Sequence, residues 1–95
     1  MKITVSVTQK DIDQGCASDA ENCPIARAIN RRLNPGFGAI VGGLGVNIYK
    51  TTHAAAFVFS EIFPDRALAF IAAFDHNRKV RPFRFVLDLP ERVLA

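Results

Sequence analysis

The chain opens on a strict alternation, Ile3, Val5 and Val7 against Thr4, Ser6 and Thr8, which predicts a strand over Lys2 to Thr8 with one buried face. Thr8 then stands three residues before Asp11, the spacing of a capping box. Gly15 can supply a left-handed stop, so one helical turn is expected between them. Cys16 to Glu21 is polar and reads as a loop. Next comes a helix capped by Asn22 or Cys23. Pro24 sits in its first turn, where a missing N–H costs nothing, and Ile25, Ala28, Ile29, Arg32 and Leu33 continue at helical spacing until Pro35-Gly36.

From Phe37 to Lys50 the glycines at 38, 42, 43 and 45 separate two apolar pieces, Ala39-Ile40-Val41 and Val46 to Tyr49. The second piece alternates, and Val46 to Thr51 is read as the second strand. His53 to Ser60 is its expected antiparallel neighbour, with Phe57 and Phe59 on one face and Ala56 and Val58 on the other; apolar on both faces, it leaves their direction open, and Phe57 and Phe59 are the more economical core residues. A helix starts near Pro64, buries Ala67, Leu68, Phe70, Ile71 and Phe74, and stops where Asn77 tolerates the left-handed conformation. The last strand, Val80 to Asp88, turns Phe83, Phe85 and Leu87 inward and Pro82, Arg84 and Val86 outward. Pro82, lacking a ladder donor, marks it as an edge. The order strand, helix, strand, strand, helix, strand predicts a single α+β domain over residues 1–95. Its expected form is ferredoxin-like, a four-stranded antiparallel sheet with two helices on one face. The Gly-rich middle leaves room for a further short strand.

Composition agrees with a folded domain: 49% hydrophobic and 22% charged residues over 95 positions suffice for one core without disulfides or metal. The uncharged stretch Pro35 to Tyr49 holds five glycines and cannot span a bilayer, and no secretory signal pattern follows Met1-Lys2. A cytoplasmic location is the expectation. Two cysteines do not make a disulfide framework. The net charge of +3 permits an acidic partner and argues against mimicry of DNA.

Chemistry is sparse. Cys16 and Cys23 are too far apart for a zinc knuckle or a thioredoxin-like pair, and His53 and His76 complete a site only if the fold gathers all four. Cys23 at a helix start is the one candidate nucleophile, but no histidine lies near it in sequence. The glycines follow a helix and lead into a strand, the reverse of a phosphate-binding loop, so turns and a bulge are expected of them. An RNA-recognition sheet would need stacking aromatics where the first strand has Thr4 and Ser6. No catalytic, cofactor or metal site is therefore expected. Two basic clusters remain as candidate partner-binding residues: Arg27, Arg31 and Arg32 on the first long helix, and Arg78, Lys79, Arg81 and Arg84 around the last strand. An outward apolar face at Ala56, Val58 and Val86 would suit a homodimer or another partner.

The elements Ile3-x-Val5-x-Val7-Thr8 and Ile12-x-x-Gly15, the helix start Cys23-Pro-Ile-Ala-Arg-Ala-Ile29, and the pair Phe70-Ile-x-x-Phe-Asp75 and Val80-x-Pro-Phe-x-Phe85 look like those of small uncharacterised proteins of bacteriophages, prophages and actinobacteria. The resemblance covers both ends of the chain and misses the middle. It implies a phage-type accessory protein without an enzymatic signature, and transfers no functional residue. The expected function is non-enzymatic binding of a host protein or complex, such as inhibition of a nucleic-acid-handling or CRISPR-type defence machine (an anti-CRISPR role). The alternatives are a small basic nucleic-acid-binding regulator and a cysteine- or metal-dependent enzyme.

Overall fold

The computed structural model describes residues 1–95, apart from the side chains of residues 53–55. β1 (Lys2–Val7) leads through Thr8 into α1 (Gln9–Gln14), and α2 spans Pro24–Asn30. A hairpin follows, β2 (Phe37–Val41) and β3 (Gly45–Lys50), then β4 (His53–Ile62), α3 (Asp65–Asp75), β5 (Phe83–Asp88) and a short 3₁₀ turn at Glu91–Val93. The α+β class is as expected. The sheet differs: β1 pairs antiparallel with β5 alone, and β2, β3 and β4 form a second antiparallel sheet.

The single ferredoxin-like sheet is thus replaced by a two-stranded and a three-stranded one, and the edges of the strands explain why. Leu89 N–H donates to Met1 O, which sets the phase of the β1–β5 ladder. Ile3, Val5 and Val7 bond toward β5, and the carbonyls of Thr4 and Ser6 point away from it. The free edge that another strand would need is taken by the turn that ends α2, where Arg32 Nη1 donates to Thr4 O and Arg31 Nη2 to Ser6 O. β2 is a further short strand of the kind for which the Gly-rich middle leaves room. Its outer edge is closed in the same way, by Phe37 N–H to Asn34 O, Ala39 N–H to Asn30 Oδ1 and Val41 N–H to Ala20 O.

The core lies between the sheets and α2, with Val5, Ile25, Ile29, Ile48, Leu87 and Val93 fully buried. α3 docks through aromatic rings: Phe70 stacks on Phe83 at 4.8 Å, and Phe63 meets Phe85 edge-on at 5.7 Å. Asn77 takes the left-handed conformation (φ 57°) expected of it. Four local expectations are corrected. Gly15 is extended (φ −74°), serving instead as the close approach of α1 to Pro24. α2 stops at Asn30 rather than reaching Leu33. The last strand begins at Phe83, because the residues before Pro82 are held in loop conformation. Phe57 is 53% exposed, since a bulge opposite Tyr49 breaks the alternation, while Val58 and Phe59 pack on the core. None of the glycines has a positive φ. Gly38 and Gly45 are required by space, a Cβ at the first meeting the Tyr49 ring and at the second the Glu61 carbonyl.

Candidate binding surface

The two basic clusters have opposite fates. Asp11, seen from sequence only as a capping carboxylate, is 1% exposed and gathers the first cluster around itself. Thr8 N–H donates to Asp11 Oδ2 and Asp11 N–H to Thr8 Oγ1, a capping box. Arg31 closes on the same carboxylate with both fork nitrogens, at 2.9 and 2.7 Å, and Arg27 Nε stands 3.6 Å away while its Nη2 donates to Gln14. Burial pushes the Asp11 carboxyl up, but the Arg31 fork and the Thr8 hydrogen bonds prevail and hold it at about 2. Arg27, Arg31 and Arg32 therefore tie α1, α2 and the β1 edge together. Spacing alone put Arg27 and Arg31 on one helix face, and what that face meets depends on Asp11 folding back beside it.

The second cluster is different. Arg78, Lys79, Arg81 and Arg84 are exposed, and among the described residues none of their side chains makes an ion pair or hydrogen bond. No acidic residue lies between His76 and Leu87 to neutralise them. Two shallow grooves adjoin this segment, one lined by Ile12, Phe74, Arg78, Lys79 and Val80, the other by Thr8, Gln9, Pro82, Phe83 and Arg84. The α3 residue Arg66 extends the cationic surface, its guanidinium lying 5.9 Å from the Phe83 ring centre. Asn77 starts this segment: its left-handed turn ends α3, and residues 78–82 follow as loop.

The best-formed hollow, about 190 Å³, opens elsewhere, between the loop after α1, the β2–β3 turn and α3, with Asp19, Cys23, Val41, Phe70, Phe74 and Asp75 among its lining. Asp19 and Asp75 are both committed to backbone donors, Asp19 to Glu21 and Asn22 N–H and Asp75 to Ser18 N–H, which holds Ser18 at φ 56°. Cys23 is buried and caps α2, its Sγ accepting from Ala26 N–H at 3.4 Å, and burial raises its thiol pKa. Cys16 is exposed. His76 bonds through Nδ1 to its own helix at Ala72 O, and the side chain of His53 lies outside the described residues. Among the described residues no three metal-ligating side chains converge, and no helix is long and apolar enough to cross a membrane.

Compared with models of protein families, with curated proteins and with solved structures, the chain finds no match.

Proposed function

We propose that the chain is a non-enzymatic binding module that engages an acidic protein surface through the segment from Arg78 to Arg84. The observation that carries this reading is the contrast between the clusters: three arginines are used up inside the fold, and four cations stand exposed in one acid-free segment. Structural stability does not account for the second set, because exposed cations without partners contribute little to folding. The apolar floor supplied by Ile12, Phe74 and Val80 suits a protein surface, where charge steers the encounter and buried apolar area holds the complex. A binding role is further supported by Asp11, Cys23 and Arg31, the described groups with shifted acidity, the first two capping helices and the third paired with Asp11. The phage-type setting, with a host nucleic-acid-handling or defence complex as partner, rests on the motif resemblance.

A second reading, a small basic nucleic-acid-binding regulator, is favoured by the same four cations. Salt separates the two. Four phosphate contacts to duplex DNA give a log–log slope of about −3.6 in affinity against salt, and about −2.8 for a single strand. Capture of partners from a host lysate should fail for an Arg78→Glu, Lys79→Glu, Arg81→Glu variant and survive Phe57→Ser. The reverse pattern would remove the proposal, and salt-steep binding to any duplex or single strand would transfer it to the second reading.

A further inference from the structure

Among the described residues, β5 has the one strand edge on which no outward backbone group finds a hydrogen-bond partner. β1 is covered by Arg31 and Arg32, β2 by the chain around α2, and β4 carries two guards on its outward groups: Arg92 Nη2 donates to Val58 O, and Ile62 N–H donates to Glu61 Oε1. The ladder phase that turns residues 83, 85, 87 and 89 toward β1 turns the backbone groups of Arg84, Val86 and Asp88 outward, where they have no hydrogen-bond partner among the described residues. Among the described residues only β1 pairs with β5. Val86 is 55% exposed at the middle of this edge.

The edge Pro82-Phe-Arg-Phe-Val86-Leu-Asp-Leu-Pro90 is symmetric in residue type about Val86: proline at both ends, Phe83 and Phe85 mirrored by Leu89 and Leu87, and Arg84 mirrored by the opposite charge Asp88. An antiparallel pairing of two copies about a two-fold axis at Val86 sets Val86 against Val86 of the partner and Arg84 against the partner's Asp88, twice. The positions so paired are the outward ones, 84, 86 and 88, as a hydrogen-bonded ladder requires. Pro82 falls opposite the partner's Pro90, and neither has an N–H, so the ladder ends at the same place on both sides. Within each copy Lys2 is already opposite Asp88 and Ser6 opposite Arg84. The joined sheet therefore carries rows in which Asp88 lies between Lys2 and the partner's Arg84. Asp88 Oδ1 meets the Met1 amino group at 2.9 Å, and its other oxygen makes no bond among the described residues.

We infer that β5 is a self-complementary dimerisation edge, two copies joining through Arg84, Val86 and Asp88 into a four-stranded antiparallel sheet in the order β1, β5, β5, β1. A second copy fits better than an acidic peptide, which would bring its carboxylates against Asp88 at the edge. Arg78, Lys79 and Arg81 lie outside the ladder and stay available to another partner.

Sedimentation of the full chain from about 10 µM to 1 mM suits an interface at the small end of the size range. It should show a monomer–dimer equilibrium. Asp88→Arg places two arginine pairs across the axis and should weaken the dimer about tenfold or more, and adding Arg84→Asp to it should restore the dimer. Val86→Cys in a Cys16→Ser background should give an interchain disulfide on mild oxidation, since facing residues of such a pair lie about 5.5 Å apart. Arg84→Cys in that background should not. Circular dichroism and melting confirm that each variant is folded; Val86→Lys, an exposed change, serves as a second test if Asp88→Arg is not. A monomer throughout the range, a dimer indifferent to both Asp88→Arg and Val86→Lys, or equal disulfide yield at 84 and 86 overturns the inference.

Discussion

At the scale of single residues, the most consequential is Asp11, a carboxylate removed from water and satisfied by Arg31 and the turn it caps. Its pKa lies at about 2 when folded, against 3.8 ordinarily, so the unfolded chain binds its proton more readily. The stability this contributes, on the order of 2 kcal/mol, is complete above the unfolded value and disappears as pH falls from about 4 toward 2. Arg31→Ala leaves a buried carboxylate with only Arg27 nearby. It should cost about 2–3 kcal/mol by chemical denaturation at pH 7, with the difference from wild type shrinking as pH falls below about 4. A loss that stays constant from pH 7 to pH 2 would mean that Arg31 acts by packing and by its bond to Ser6 O instead. The two thiols make a simpler contrast. Cys16 is exposed and Cys23 is buried with a raised pKa, so a disulfide reagent at pH 8 should titrate one thiol quickly and the second only upon unfolding.

At the scale of elements, the strand edges decide the architecture. Side chains consume the free edge of β1, and helix-flanking backbone consumes that of β2, so neither can receive a strand and the sheet divides in two. Much of this was legible locally. The β1 alternation, the Thr8–Asp11 box, Pro24 in the first turn of α2 and the Asn77 stop all came from neighbours in sequence, and all stand in the fold. What the local reading placed wrongly or left open shares a cause, in that each depended on a distant contact. Phe57 is placed outward by a bulge against Tyr49, and β2 exists because β3 and the flank of α2 receive its hydrogen bonds. The β3–β4 ladder depends similarly on Gly45, where a Cβ would lie 2.1 Å from Glu61 O. Gly45→Ala must separate the strands there and should cost about 1–3 kcal/mol in denaturant, whereas Gly43→Ala, with nothing within 4 Å, should stay within about 0.5 kcal/mol of wild type.

For the whole molecule, the distribution of charge matters more than the net of +3. Arginines holding helices together can be distinguished from cations left in water by what each change does to folding. Charge reversal at Arg78, Lys79 and Arg81 should leave the melting temperature within a few degrees of wild type, because these side chains hold nothing in place. Arg31→Ala lowers it. If the triple reversal unfolded the chain, the exposed segment would have a structural role, and its place in binding would have to be given up.

Sequence by itself determined what depends on near neighbours: the α+β class, the positions of β1, α1, α2, α3 and β5 to within a few residues, and an outward row of Pro82, Arg84 and Val86 on an edge strand. Those follow from periodicity, capping and the missing proline donor, which act over one or two turns of chain. Tertiary structure decided what depends on meetings between distant residues. It made Arg31 a partner of Asp11, engaged outward groups on the edges of β1, β2 and β4 while leaving those of β5 without partners among the described residues, and kept the cations from 78 to 84 free of carboxylates. The physical reason is that a charged group takes its role from whichever opposite charge or carbonyl the fold brings within about 3–4 Å, and spacing along the chain does not specify that meeting.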